Sequence, residues 1–337
     1  MTHSASIIIP TFNGASRISR CLDALLGQAK WGIGELEILV VNDGSTDNTA
    51  EVVSRYPQVR LINQPNKGPA SARNRGAREA TGQILLFTDD DCVPKSNWLH
   101  SMLEPFKDPS VIGAKGVYRT RQKSLAARFV QLEYEDKYRL MESADSIDFI
   151  DTYSAAFRRE RFLEMGGYDT SFPVACAEDI ELSYRMSARG WKMKFVPSAM
   201  VYHTHPNTLL SYLRKKYKFA YWRVLAVRKN PGKGLKDSHT PQIMKLQLLL
   251  GPALLVALPI DLAFRPQVSV SLSVLALFLL STIPFSIRAI AKDPLVGVLS
   301  PVLLAARSFA QALGVIGGVI YARRKPGAEV PDKSLAA

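Results

Sequence analysis

The sequence predicts an α/β fold, a mostly parallel sheet with helices on its faces, followed by carboxyl-terminal membrane-crossing helices. Short β runs alternate with amphipathic stretches in the first part of the chain, and charge-free apolar segments fill the last part. The third observation is the placement of charge. The 337 residues carry 43 Lys and Arg against 30 Asp and Glu, yet residues 1–204 hold 25 of each sign. Residues 205–243 carry nine basic and one acidic side chain, and residues 244–337 carry nine and four. A surplus confined to a short segment and the apolar tail behind it points to a membrane surface rather than to nucleic acid.

In order along the chain, Ser6 to Ile9 reads as a strand, Ser16 to Gln28 as an amphipathic helix and Leu36 to Val41 as a second strand. A helix opens near Thr46, Val59 to Asn63 is extended, Pro69 to Ala80 is helical, and Gln83 to Thr88 is a further strand. This βαβαβαβ order implies parallel pairing, with ligands expected just beyond the carboxyl ends of the strands. From Ser110 onward, Val111 to Tyr118 is extended, Leu125 to Met141 a charged helix, Phe149 to Phe157 strand-like and Glu178 to Arg189 helical. Extended runs follow near Met193 to Val196 and Met200 to Tyr202.

Leu246 to Ile260 and Pro266 to Ile287 carry no charge, and Leu295 to Ala322 is interrupted only by Arg307. A span needs roughly 20 apolar residues, so three segments qualify, about 243–264, 266–288 and 295–322. The last reads as one long span or as a hairpin broken at Arg307. Arg288 and Lys292 after two spans, and Arg323 to Lys325, favour the cytosolic side. Cys21, Cys92 and Cys176 form no C-x-x-C pair, which suits a reduced compartment. Met1 to Ser6 has no basic stretch ahead of an apolar run, so the amino-terminal domain is expected to stay where it is made.

Asp89, Asp90 and Asp91 directly follow the apolar strand. Three carboxylates at one strand end repel one another unless a cation or donors neutralise them, and a hard divalent ion shared with substrate phosphates is the natural partner. Alternation would aim Asp89 and Asp91 together and Asp90 elsewhere, away or towards a sugar. Asp43 sits in Val41-Asn42-Asp43-Gly44-Ser45-Thr46-Asp47 after a second strand. Asn66 to Asn74 opens a helix after a third, with Arg73 one turn inside its amino terminus.

Ile7-Ile8-Ile9-Pro10-Thr11-Phe12-Asn13, Val41 to Asp47, Gly68 to Asn74, Asp89-Asp90-Asp91 and Glu178-Asp179 together resemble the motif set of family 2 glycosyltransferases with the GT-A fold. The likeness runs over roughly residues 5–205. It implies an inverting, metal-dependent transferase using a nucleotide-diphosphate sugar. By motif position, Pro10, Thr11, Asn13, Asp43 and Arg73, with Asp89 and Asp90, would bind the nucleotide sugar. Asp89, Asp91 and His203 would hold Mn²⁺ or Mg²⁺, with His205 as the competing histidine. Asp179 would be the general base that deprotonates the acceptor hydroxyl, and Glu178 would orient the acceptor. Ser154-Ala155 departs from the Gly-Asn pair often found in the family's acceptor half.

Leu209 to Lys229 interleaves Tyr212, Tyr217, Phe219, Tyr221 and Trp222 with seven basic residues and reads as an interfacial helix on anionic lipid. Processive members usually carry Q-x-x-R-W hereabouts. Tyr221-Trp222-Arg223 in its place favours transfer of a single sugar. The expected organisation is a catalytic domain over 1–205, a linker helix within 206–242, transmembrane segments over 243–322 and a polar tail over 323–337. The expected protein is a multi-pass enzyme of the cytoplasmic membrane with its catalytic domain facing the cytoplasm. It would move one sugar to a membrane or lipid-linked acceptor in cell-surface glycan assembly. A polyprenyl phosphate acceptor and a non-catalytic sugar-nucleotide-binding scaffold are the alternatives.

Overall fold

The computed structural model describes residues 3–28, 34–172, 177–233, 237–264 and 266–324; Cys176 and the polar tail from residue 325 lie outside the described residues. Strand β1 (Ala5–Thr11) is buried along its whole length. It pairs in parallel with β2 (Leu36–Asp43) on one side and β4 (Ile84–Phe87) on the other. Its unbroken apolar run is what a strand covered on both faces requires. α1 (Ile18–Leu26) buries Ile18, Cys21, Leu22 and Leu25 against one face of the sheet. α2 (Thr49–Ser54), β3 (Val59–Gln64) and α3 (Pro69–Glu79) continue the alternation, and Pro69 opens its helix where a missing N–H costs nothing.

The eight strands run β3-β2-β1-β4-β7-β6-β8-β5, where β5 is Val93–Pro94, β6 Val111–Arg119, β7 Ala155–Arg158 and β8 Lys192–Tyr202. The first four listed in that order are parallel, and β7 lies antiparallel between β4 and β6. Helix α4 (Trp98–Leu103) packs Trp98 and Leu99 into the core.

Two stretches differ from the sequence expectation. Within Phe149 to Phe157 only Ala155 onward is strand, because Thr152–Ser154 forms a 3-10 turn. That turn presents the Tyr153 carbonyl to Thr88 Oγ1 at 2.9 Å and Ser154 Oγ to Trp98 Nε1 at 2.8 Å, anchoring it to β4 and α4. The two runs expected near Met193 and Met200 are one strand. β8 passes through Pro197 where its pairing with β6 shifts register between Lys115 and Val117, so no ladder hydrogen bond is lost there.

α5 (Leu125–Glu142), α6 (Arg159–Glu164), α7 (Glu178–Ala188) and α8 (Leu209–Lys229) complete the sheet domain's cover. α9 (Gln242–Phe264), α10 (Val270–Ile290) and α11 (Pro294–Arg324) are long and apolar enough to cross a membrane. α11 is one continuous helix rather than a hairpin, since Arg307 is buried and donates to Glu133 of α5 at 2.8 Å. Its later part lies along α8. A Cβ at Gly314 would stand 2.3 Å from the Tyr217 carbonyl oxygen and one at Gly318 2.4 Å from that of Tyr221, so glycine permits this approach.

α8 in turn is tied to the sheet domain along its length. Tyr212 and Lys216 meet Glu133 at 2.9 and 3.0 Å, Arg223 meets the Tyr184 hydroxyl at 3.2 Å, and Lys229 pairs with Asp169. The expected lipid-facing basic helix therefore spends Lys216, Arg223 and Lys229 on contacts within the protein.

Candidate active site

The carboxyl ends of β1, β2 and β4 converge on one cavity of ≈ 1260 Å³, larger than the about 300–1,000 Å³ usual for one small ligand. Every site residue expected from the sequence lines it except Asn13, which lies beside it.

Of the three aspartates, Asp90 turns inward. Arg17 grips it with two nitrogens at 2.7 and 3.0 Å, and Thr11 Oγ1 donates to it at 2.6 Å. Burial raises its pKa, and these donors only partly offset that. Asp90 is thus the clamp between the loop after β1 and the loop after β4. Arg17, four residues beyond Asn13, was not expected; nothing in its sequence context marks it.

Asp43 accepts from the backbone N–H groups of Lys67 and Gly68 at 2.9 and 2.8 Å and from Gln64 Nε2 at 2.7 Å. It therefore shapes the loop leading into α3 while forming part of the wall. Asn13 adopts the left-handed conformation (φ 48°), which asparagine tolerates better than most residues, and its Oδ1 accepts from the Thr46 N–H at 2.9 Å. Pro10 and Thr11 complete this side.

Asp91 faces His203 from the end of β8, with Oδ2 3.3 Å from Nδ1. Burial opposes ionisation of Asp91, but the hydrogen bond and charge of His203, together with Arg17, outweigh it and its pKa is lowered. The His203 ring stacks on Tyr118 at 4.6 Å, which fixes its plane. Among the described residues, the His, Cys, Asp and Glu ligand atoms that converge belong to Asp91, Cys92 and His203, all within 4.8 Å of one another. A carboxylate and an imidazole converging at the cavity wall fit Mn²⁺ or a similar ion whose remaining ligands are substrate oxygens. His205 is held elsewhere: buried, stacked on Tyr134, and 3.3 Å from Gln131 Oε1. Asp89 leans away from this group, because Arg73 Nη2 takes its Oδ1 at 2.7 Å.

Arg73, 2% exposed, reaches in two directions, to Asp89 and to Glu178 Oε1 at 3.2 Å. It forms part of the cavity wall and braces β4 against α7. Next to Glu178, Asp179 is half-buried at the cavity, with Oδ1 accepting from the Ile180 N–H at 2.8 Å. Burial, and then the neighbouring Glu178 charge, push its carboxyl up to about 7. A carboxylate poised there suits a general base at neutral pH.

Lys115 of β6 is fully buried and pairs with Asp151, with Tyr153 OH 3.2 Å from its Nζ. Burial lowers its pKa well below the usual lysine value, while the Asp179 charge pulls it back up. Sequence reasoning passed over this lysine, although a charge inside the apolar run Val111 to Tyr118 was the signal for it.

Residues 6–166 match the family model described as Glycosyl transferase family 2. The chain carries a family 2 glycosyltransferase domain. Among similar proteins, a pre-mycofactocin glycosyltransferase of Mycobacterium tuberculosis is 26% identical over 220 residues, 63% of this chain and 45% of its own length. A poly-beta-1,6-N-acetyl-D-glucosamine synthase of Staphylococcus aureus is 28% identical over 194 residues, 55% of this chain and 46% of its own length. The matched part is thus under half the length of these relatives. A mannosyltransferase of Pyrobaculum calidifontis, solved with GDP-Man and Mn²⁺, superposes with a TM-score of 0.63 at 22% identity, over 94% of this chain and 88% of that one. The fold likeness accordingly extends beyond the family 2 domain into the carboxyl-terminal helices.

Proposed function

We propose that the chain transfers a single sugar, with inversion, from a nucleotide-diphosphate sugar to a lipid-linked acceptor at the cytoplasmic face of a membrane. The observation that carries this is the meeting, in one cavity, of the Asp91–His203 pair, the Arg73-braced Asp89 and Glu178, and the half-buried Asp179. The binding of GDP-Man and Mn²⁺ by the mannosyltransferase of like fold supports the reading.

Pro10, Thr11, Asn13 and Asp43 form the donor's side, the latter two by fixing loop shape. Asp91 and His203 would hold Mn²⁺ or Mg²⁺, with Asp89 on the same edge. The bound ion supplies Lewis-acid stabilisation of the charge that builds on the departing diphosphate. Asp179 takes the proton from the acceptor hydroxyl as its oxygen attacks C1 from the face opposite the diphosphate. Glu178, braced by Arg73, sets the direction of Asp179 and keeps its proton affinity high enough for that role.

For the membrane, α9 and α10 form two spans. The end of α10 and the turn after it are tied to the sheet domain: Arg288 pairs with Asp136 at 2.5 Å and Arg128 with Asp293 at 2.8 Å. α11 then lies in the plane of the interface against α8. Leu295, Val298, Val302, Leu313, Ile316 and Ile320 form its exposed apolar face. This returns Arg323 to the cytoplasmic side without a hairpin.

Membranes containing the protein, incubated with labelled sugar nucleotides and Mn²⁺ or Mg²⁺, test the reaction. Asp179→Asn should lower transfer by about 10²-fold or more; wild-type turnover in that variant would remove the base assignment. Donor binding without transfer to any acceptor would leave a sugar-nucleotide-binding scaffold instead.

A further inference from the structure

Beyond its carboxylates the cavity changes sign. α5, α8 and α9 bring Lys137, Lys215, Lys216, Arg223 and Lys245 to one wall. Among the described residues two acids form ion pairs with them, and Lys215 also feels the charges of Asp91 and Asp89 from the carboxylate end of the cavity. Glu133 accepts Lys216 at 3.0 Å and also Arg307 at 2.8 Å; Asp237 accepts Arg223 at 2.7 Å, with Lys245 3.6 Å away. Among the described residues neither Lys137 nor Lys215 forms an ion pair with a carboxylate. Lys137 Nζ lies 3.1 Å from His239 Nε2 and over the Tyr134 ring, and Lys215 lies over the ring of Phe219.

Cations that are buried or half-buried and outnumber the anions paired with them are costly unless a ligand supplies negative charge. The cost registers in Lys137, whose pKa burial and then Lys216 push down to about 7, and in Lys215, which burial and Lys216 lower although the charges of Asp91 and Asp89 pull it back up. Past the cations the wall becomes apolar, with Phe219 and Val227 from α8, Met244 and Leu248 from α9, and Val315 from α11. A ligand that satisfies both parts has an anionic head and a hydrocarbon chain.

We propose that this wall binds the phosphate joining the acceptor to its hydrocarbon chain, with Lys137 and Lys215 as the principal contacts and the α8–α9 slot taking the chain. Calling the ligand an acceptor rests on the transferase reading; its binding does not.

The test is therefore binding, with the full chain in phosphatidylcholine nanodiscs titrated with farnesyl phosphate, farnesol, inorganic phosphate and a nucleoside diphosphate with Mn²⁺. Farnesyl phosphate should bind saturably, with farnesol and inorganic phosphate each weaker by about tenfold or more, the loss of a charge-assisted contact or of the apolar part. Lys137→Met combined with Lys215→Met should weaken farnesyl phosphate by a similar factor while nucleoside diphosphate binding holds, and Lys137→Arg should retain affinity. If farnesol binds as well as farnesyl phosphate, the cations do not recognise the head and the proposal falls. It falls equally if inorganic phosphate competes as well, or if the nucleoside diphosphate displaces farnesyl phosphate, since the wall then serves the donor. Should the double variant fail to fold, these wild-type competitions still decide. Saturable, phosphate-dependent binding with no sugar transfer would leave this assignment intact and remove the transferase reading.

Discussion

Arg73 donates to Glu178 across 105 positions of sequence, and both side chains are almost wholly buried. With its second branch on Asp89, the guanidinium links the end of β4 to α7, which carries Asp179, the proposed base. Arg73→Met would leave a buried carboxylate without this cation, a loss of about 3–5 kcal/mol, seen as a lower unfolding temperature. Arg73→Lys should recover much of that stability but not the turnover, because an ammonium cannot bridge both acids with the fork of a guanidinium.

Asp179 sets the expected pH dependence of transfer. As the proposed base it would work as a carboxylate, and its pKa is raised to about 7, so turnover should rise with pH through that value. Glu178→Gln removes the second contributor to the shift and should move this limb to lower pH. A profile unmoved in that variant would show that Glu178 does not tune the base.

The same shift acts on stability with the opposite preference. The native state keeps the Asp179 proton over the interval from the usual 3.8 to about 7, where the unfolded chain has lost it. Folding therefore weakens as pH rises through that interval. Asp179→Asn should raise the unfolding temperature above about pH 7 and leave it unchanged in acid, which calorimetry at two pH values would register.

For the metal pair, His203→Ala and Asp91→Ala should each weaken Mn²⁺ binding by about 10-fold or more, measured by titration of the purified protein and by the Mn²⁺ concentration giving half-maximal transfer. Gln131→Ala, which touches His205 instead, should leave Mn²⁺ affinity alone.

Membrane placement is open to labelling. In a background lacking the native cysteines, Val268→Cys, between α9 and α10, should react with an impermeant maleimide added from outside the cell. Ala291→Cys, at the end of α10, should react only after permeabilisation. A fluorescent reporter following Ala337 should fold in the cytoplasm if α11 lies in the interface, and should fail there if α11 crosses.

The parallel half of the sheet was legible because each of β1 to β4 has its own hydrophobic run and its own turn residues. The positions that follow these strands were legible for the same reason. What escaped was whatever depends on long-range packing. The 3-10 turn at Thr152 is set by Trp98 and Thr88, more than 50 residues away. Arg17 enters the site only because Asp90 turns towards it, and Lys137 looks like any surface position of a charged helix until α8 and α9 cover it. Arg307 read as an interruption of an apolar segment, whereas Glu133 absorbs its charge and lets α11 run through.

The cavity takes part of its wall from α8, α9 and α11, through Phe219, Met244, Leu248, Gln311 and Val315. Anchor and enzyme are for that reason not separable modules. Cutting the chain after the sheet domain would do more than release it into solution. It would open the cavity that holds Asp179, the proposed base, to water, and transfer from the donor would then compete with its hydrolysis.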